Sequence, residues 1–294
     1  MSTIHPSASV SDQCSLGADV QIGAHCVVDG PVTLGDGVRL LGSVHIVGPV
    51  SIGAQTTVYP FVCIGFPAQD TKFKPGAATA GVRIGRGCVI REQVTIHAAT
   101  STDMPTSVGD RAFLLVGAHV GHDCVVGNDV TIVNCTQLSG HVSVGDRANL
   151  SGLVGVHQFV RIGELAFLAG GVAVSMDVPP YCRVDERNRL TGINAVGMRR
   201  AGIDREHITQ VRQAFRQVLR PCLPREETIR MLSERASLSP TVGRLHEFIT
   251  APSRRGICPG PARPPRSISS WLSMSRRRPE LLCPDDSQAQ RLEV

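Results

Sequence analysis

The sequence predicts an all-β solenoid of hexapeptide repeats, followed by a small helical domain at its C-terminal end. Two observations carry this prediction: a period of six residues, and a composition almost without rings. Of 294 residues, 42% are hydrophobic but only 4% are aromatic, and the chain has 30 glycines and one tryptophan. A core with so few rings must consist of Val, Ile, Leu, Ala and Cys in thin layers. This composition argues against a doubly wound nucleotide-binding sheet and against an immunoglobulin-like sandwich.

Small apolar residues recur at every sixth position. The series runs from Ala8 to Val62, restarts from Val82 to Val94, and resumes from Ala112 to Val172. Each unit of six can form one short strand and a turn with the small side chain pointing inward, and three strands complete a coil of about 18 residues. We therefore assign residues 1–186 to a parallel β-helix.

Two stretches interrupt the period. The first, about residues 65–81, cannot form a coil, and a second irregular stretch covers about residues 100–106. Insertions that leave a solenoid tend to lie on its binding face. The alternative is that both are surface loops without a role.

The period ends at the segment Asp177-Val178-Pro179-Pro180-Tyr181, and helical patterns follow. Asp204 is suited to cap a helix that runs to about Arg220, and two further helices are expected near residues 225–237 and 240–250. We assign residues 187–256 to a helical domain. The Pro-, Arg- and Ser-rich segment 257–294 has no usable period, so we expect a disordered tail.

Cysteine and charge patterns narrow the class of protein. The ten cysteines form no CxxC pair, and neither a signal peptide nor a membrane-spanning stretch is recognisable, so we expect a cytoplasmic protein with free thiols and no stable membrane insertion. The net charge is +5, and the basic residues, nearly all arginine, crowd into the last third of the chain. This distribution favours an acidic protein partner over a nucleic acid.

Several polar residues are spaced by the length of one coil. His122, Gly140 and Gln158 are 18 residues apart, with His141 and His157 beside them. Since coils stack about 4.8 Å apart, these groups would line one edge of the solenoid over roughly 10 Å. A neutral imidazole can take a proton from a sugar hydroxyl, and a glycine N–H can hold an oxyanion. The edge therefore offers the groups that acyl transfer to a hydroxyl needs.

A zinc site and a purely structural role are the competing interpretations of these histidines. Hexapeptide solenoids can bind zinc between subunits, and His119 and His122 lie three residues apart across a bend, but the sequence offers no obvious third ligand. The histidines could also serve packing alone. We predict no metal and no cofactor.

Several segments resemble, in order and separation, one family of hexapeptide acyltransferases, the UDP-N-acetylglucosamine acyltransferases of lipid A biosynthesis. The resemblance covers about residues 1–256 and rests on the segments Ile64-Gly65, Gln69–Phe73, Glu92–His97, Ala118–Asp123, Leu138–Val142, Val156–Phe159, Asp177–Tyr181, Gly192–Asn194, Gly197–Gly202 and Ser253–Gly256. It implies a left-handed parallel β-helix and a homotrimer with sites between neighbouring prisms.

The resemblance also implies roles for individual residues. His122 would be the general base, Asp123 would support it through its side chain or through backbone placement, and Gly140 would supply the oxyanion N–H. Residues that would bind the substrates are Asp70, Lys72, His119, His141, His157, Gln158, Asn194 and Arg200. Phe167 and Gly170 would set the length of the acyl chain.

The implied reaction moves a 3-hydroxyacyl group from acyl carrier protein to the 3-position of UDP-N-acetylglucosamine. Phe66, Ala68 and Ala201 depart from the family pattern near the nucleotide contacts, and a 3-amino sugar is an alternative acceptor.

The sequence is also compatible with three related functions. One is the N-acyltransferase that acts later in the same pathway, a second is an acetyltransferase that uses acetyl coenzyme A, and a third is a noncatalytic sugar-nucleotide-binding solenoid. The N-acyltransferase carries an extra globular domain before its prism, whereas here the repeat begins within the first ten residues.

Overall fold

A computed structural model of the chain describes residues 1–74, 76–237 and 239–260. They form a parallel β-solenoid of short strands, closed at one end by a hairpin and a group of helices. Most of the predicted tail, including Trp271, lies outside the described residues.

The strands stack into three parallel sheets, one on each side of a triangular prism. The first sheet contains β1 (Thr3–Ile4), β4 (Gln21–Ile22), β7 (Arg39–Leu40), β10 (Thr57–Val58), β13 (Val89–Ile90), β16 (Phe113–Leu114), β19 (Thr131–Ile132), β22 (Asn149–Leu150), β25 (Phe167–Leu168), β27 (Cys182–Glu186) and β28 (Arg189–Ile193). The second contains β2 (Ser9–Val10), β5 (Val27–Asp29), β8 (His45–Val47), β11 (Cys63–Ile64), β14 (Thr95–Ile96), β17 (His119–Val120), β20 (Gln137–Leu138), β23 (Gly155–Val156) and β26 (Ala173–Val174). The third contains β3 (Ser15–Leu16), β6 (Val32–Leu34), β9 (Val50–Ile52), β12 (Val82–Ile84), β15 (Thr106–Val108), β18 (Val125–Val126), β21 (Ser143–Val144) and β24 (Arg161–Ile162).

The period of six accounts for this architecture. Strand pairs such as β20 and β23 align Gln137 with Gly155, one coil of 18 residues later. Residues of the predicted inward series are buried from Val20 onward, for example Val38, Thr56 and Val142, each 0% exposed, whereas Ala8 and Cys14 in the first coil are half-buried. Small side chains are required there because three walls converge on each layer of the core.

Both predicted interruptions leave the solenoid at the same corner. The first lies between β11 and β12 and the second between β14 and β15, so each connects the second sheet to the third. The two loops are joined by a hydrogen bond of 2.7 Å from the N–H of Ala80 to the carbonyl of Ser101. This corner therefore carries both of the predicted insertions.

The C-terminal part begins with β27 and β28, which form an antiparallel hairpin. The helices that follow are α1 (Ala195–Arg200), α2 (Arg205–Ala214), a π-helical continuation (Phe215–Leu219), α3 (Arg225–Ala236) and α4 (Pro240–Thr250). The three predicted helices are confirmed, whereas the hairpin and α1 were not predicted. Asp204 occupies the cap position of α2, as predicted, although its side chain makes no capping hydrogen bond.

The chain after the helices returns to the end of the solenoid. Ile257 pairs with Asp177 as an isolated bridge, and Ile257 and Cys258 are buried. Ordered packing therefore continues past residue 256, where we expected the tail to begin. The domain boundaries themselves stay predictions.

The described cysteines are all free thiols, as expected; Cys283 lies outside the described residues. Among the described residues, every helix is too short or too polar to cross a bilayer.

Candidate functional site

The corner between the second and third sheets also carries the column of predicted site residues. His122 follows β17, Gly140 and His141 follow β20, and Gln158 follows β23. These positions recur once per coil, so consecutive coils place them one above another. The two inserted loops rise beside this column, which makes the corner the candidate active site.

His122 and Asp123 form a hydrogen-bonded pair. Nδ1 of His122 lies 2.7 Å from Oδ2 of Asp123, and the two side chains are 12% and 9% exposed. Burial by itself would raise the pKa of Asp123, but hydrogen bonds from His122 and Thr100 outweigh it, and the pKa is lowered. An ionised carboxylate accepts a hydrogen bond from the N–H at Nδ1 and so favours the tautomer whose free lone pair is on Nε2. Asp123 therefore contacts His122 through its side chain, which the sequence had left open.

The lack of a side chain on Gly140 makes room for the imidazole ring of His122. A Cβ atom on Gly140 would lie 2.4 Å from Cε1 and 2.5 Å from Nε2 of His122. The N–H of Gly140 donates to no acceptor among the described residues. The proton-accepting edge of His122 and a free backbone donor are thus adjacent, on consecutive coils.

His141 completes a ring cluster above the pair. Its Nε2 lies 3.6 Å from Oδ2 of Asp123, and its ring stacks on Phe159 with the centroids 4.5 Å apart. The guanidinium of Arg254 lies 4.5 Å from the centroid of the same Phe159 ring. Burial, partly opposed by Asp123, lowers the pKa of His141 and favours its neutral form.

A cavity of about 500 Å³ opens in front of this cluster. Asp70 and Lys72 reach it from the first inserted loop, while Arg254 and Arg255 reach it from the C-terminal segment. The loop is locally ordered by a hydrogen bond of 2.8 Å from the N–H of Lys72 to Oδ1 of Asp70. The cavity is therefore lined by more cationic than anionic side chains, which suits a phosphate-bearing ligand.

A second cavity of about 410 Å³ adjoins the first and shares Gln69, His122 and Gln158 with it. Its other lining residues include His97, His119, Gly140 and His157. The two cavities together form one groove along the corner.

His119 is held neutral in this groove. Burial, with smaller contributions from His97 and His122, lowers its pKa to about 4. Its Nδ1 lies 2.8 Å from Oγ1 of Thr95. A neutral imidazole can both donate and accept hydrogen bonds, which suits it to hold hydroxyl groups of a sugar.

The geometry of the cluster fits proton transfer better than a metal. Among the described residues, the cluster that could supply metal ligands consists of His122, Asp123 and His141. Their potential ligand atoms all lie within 4.8 Å of one another. Two ligands of a tetrahedral zinc ion, each about 2.0–2.1 Å from it, stand about 3.3 Å apart. The 2.7 Å between His122 and Asp123 is instead a hydrogen-bond distance.

Three other predicted residues lie in a different cavity. Phe167, Asn194 and Arg200 line a cavity of about 680 Å³ beside the first sheet, which shares no lining residue with the groove at His122. The amide of Asn194 caps α1 by accepting the N–H of Gly197 at 2.9 Å. Gly170 lies at the corner between the first and second sheets. Within one chain, these residues are not brought together with His122.

Sequence reasoning missed Thr100, Phe159 and Arg254 as members of the site. Phe159 and Arg254 lay within segments that carried the family resemblance, and Thr100 lay at the start of the second irregular stretch. No single-residue signal distinguishes them, because their contacts join segments distant in sequence.

Comparisons with known proteins identify relatives of the chain. Residues 177–258 match the family described as Udp N-acetylglucosamine O-acyltransferase, domain 2. The acyl-[acyl-carrier-protein]–UDP-N-acetylglucosamine O-acyltransferase of Thermodesulfovibrio yellowstonii is 40% identical over 278 residues, which cover 88% of this chain and 100% of that protein. The corresponding enzyme of Xanthomonas campestris is 41% identical, covering 85% of this chain and 96% of that protein.

A solved structure shows the same similarity. The UDP-N-acetylglucosamine acyltransferase of Francisella novicida superimposes with a TM-score of 0.84 and 33% identity, covering 89% of this chain and 95% of that one. The match confirms the predicted left-handed parallel β-helix with C-terminal helices. Since these relatives are at least 40% identical over most of the chain, the chain belongs to the family of acyl-[acyl-carrier-protein]–UDP-N-acetylglucosamine O-acyltransferases.

Proposed function

We propose that the protein transfers an (R)-3-hydroxyacyl group from acyl carrier protein to the 3-position of UDP-N-acetylglucosamine, the first step of lipid A biosynthesis. Family membership supports the acyl transfer and its two substrates. The observation that carries the mechanism is the His122–Asp123 pair, whose Nε2 edge lies against Gly140 at the floor of an open groove.

The pair can carry out both proton transfers of the reaction. Nε2 of His122 removes the proton from the sugar 3-hydroxyl as its oxygen attacks the thioester carbonyl, and Asp123 stabilises the imidazolium that forms. The N–H of Gly140 donates to the oxyanion of the tetrahedral intermediate. When that intermediate collapses, the C–S bond breaks and His122 returns the proton to the departing thiolate. The ester and the free thiol of the carrier are the products.

The groove offers contacts for the acceptor on both sides of His122. Asp70, His119 and His141 are placed to bind hydroxyl and amide groups of the sugar. Lys72 and Gln158 line the same groove, and Arg254 adds a second cationic group for the diphosphate. His157 lines the adjoining cavity.

We infer that the donor contacts come from a neighbouring subunit. Asn194, Arg200 and Phe167 lie beside the first sheet, whereas His122 lies at the corner of the other two sheets. A homotrimer in which the first sheet of one prism faces the groove of the next would bring both sets together. The acyl chain would then run between prisms to Gly170.

The carrier protein has a candidate docking surface beside that cavity. Acyl carrier proteins are acidic, and the helical region presents a group of arginines, Arg199, Arg200, Arg205, Arg212 and Arg216. Opposite charges would steer the two proteins together and fix their orientation. We place this reaction in the cytoplasm, the compartment that the sequence predicts.

The test is an acyl-transfer assay with UDP-N-acetylglucosamine and a panel of 3-hydroxyacyl carrier proteins, on the native protein and on His122→Ala. We expect transfer that falls roughly 10²- to 10⁴-fold in the variant, because a general base is lost. Transfer only to the 3-amino analogue would correct the acceptor. Sugar-nucleotide binding without transfer from any donor would instead favour a noncatalytic solenoid.

A further inference from the structure

The carboxylate of Asp123 stands between two imidazoles. Its Oδ2 lies 2.7 Å from Nδ1 of His122 and 3.6 Å from Nε2 of His141. A small rotation of the carboxylate would exchange one partner for the other. Productive geometry requires the His122 contact, since only that contact fixes the tautomer with its free lone pair at Gly140.

Thr100 holds the carboxylate at two points. Its N–H donates to Oδ1 of Asp123 at 3.0 Å, and its hydroxyl donates to Oδ2 at 2.7 Å. Two donors from one residue fix both oxygens, so the plane of the carboxylate cannot turn without breaking one of them.

Thr100 is itself held by the inserted loops. The N–H of Ala99 donates to the carbonyl of Gly81 at 3.2 Å, and the N–H of Ala80 donates to the carbonyl of Ser101 at 2.7 Å. The first inserted loop also carries Asp70 and Lys72 into the groove. The loops therefore link the groove wall to the orientation of Asp123.

We propose that Thr100 is a positioning residue for the reaction, whose hydroxyl keeps Asp123 on His122 and away from His141. This inference rests on the proposed function, because it assigns Thr100 to the His122–Asp123 pair of that reaction. Thr100 touches no substrate in this role and acts only through Asp123.

The test compares Thr100→Val and Thr100→Ser in steady-state acyl transfer. Removal of the hydroxyl should lower kcat about tenfold and leave the KM for UDP-N-acetylglucosamine within about twofold, because a displaced catalytic group slows chemistry more than binding. The serine variant keeps the hydroxyl and should restore kcat to within about twofold. Loss of kcat in both variants, or a loss confined to KM, would overturn the proposal.

A double-mutant cycle and a control separate this role from general stability. If Thr100 acts through Asp123, Thr100→Val should cause no further loss in an Asp123→Ala background, whereas additive losses would refute it. Thr56 is a buried threonine elsewhere in the solenoid, whose hydroxyl donates to the carbonyl of Gly85 at 3.0 Å. Thr56→Val should lower the melting temperature and leave kcat unchanged. An inactive native protein would count against the proposed function, whereas an active native protein with an unaffected Thr100→Val variant would count against this inference alone.

Discussion

Gly140→Ala is the substitution whose effect can be worked out most directly from the structure. The new methyl group would stand 2.4 Å from Cε1 and 2.5 Å from Nε2 of His122. Ordinary van der Waals contacts begin near 3.4 Å, so the ring must move by about 1 Å. The 2.7 Å hydrogen bond from Nδ1 to Asp123 cannot survive such a shift unchanged.

The expected loss in kcat is about 10²-fold, because a displacement of about 1 Å at a catalytic group has costs of that order. The substitution keeps the backbone N–H of residue 140, so the loss would report on ring placement rather than on the oxyanion donor. Steady-state acyl transfer measures kcat, and titration with the sugar nucleotide measures whether binding survives.

A matched glycine controls for the added methyl group. A Cβ atom on Gly243 in α4 would meet Ala236 at 3.7 Å, an ordinary contact far from the groove. Gly243→Ala should leave kcat unchanged. A Gly140→Ala variant with kcat within twofold of the native value would show that the His122 ring does not lie over Gly140 during catalysis.

Three further predictions concern Asp123, His119 and Gly170. Asp123→Asn should lower kcat by about 10²- to 10⁴-fold with little change in KM, since an amide can stabilise the wrong tautomer of His122; rates near the native value in transfer assays would contradict this. His119 is neutral in the folded protein above its lowered pKa of about 4. In the unfolded chain the same imidazole takes up a proton below about pH 6.5. The contribution of His119 to stability is therefore present above about pH 6.5 and is lost as the pH falls towards 4. Thermal melts between pH 7 and 4 should therefore show a flatter dependence in His119→Asn, and equal slopes would refute the assignment. Gly170→Leu should disfavour the longest acyl donors by about fourfold for each methylene excluded, with shorter donors unaffected in competition assays; a uniform loss across donors would argue against a role in chain length.

Much of the fold could be predicted because every coil of the solenoid is specified by the same short sequence pattern. Each six residues specify a strand, a turn and an inward side chain, so the register from Ala112 to Val172 indicated the buried face before any contact was known. The irregular features were harder. The hairpin of β27 and β28 and the short helix α1 depend on packing against the end of the prism, and no period indicates them.

The candidate site likewise has one part that the sequence predicts and another that it does not. The 18-residue spacing of His122, Gly140 and Gln158 indicated a column along one edge, because that spacing equals one coil. The partner of each side chain did not follow from spacing. Thr100 reaches Asp123 across 23 residues, and Arg254 reaches Phe159 from the segment that follows α4.

The sequence by itself determined the solenoid, its inward face and the edge that carries the candidate site, since all three depend on the period of six residues. Only the tertiary structure decided that Asp123 contacts His122 through its side chain, that Gly140 makes room for the imidazole, and that Asn194 and Arg200 lie apart from His122 within one chain. The physical reason is the separation along the chain of the residues that determine each feature. A repeat is set by neighbouring residues, whereas a hydrogen bond or a close approach depends on tenths of an ångström between segments that meet only after the chain has folded.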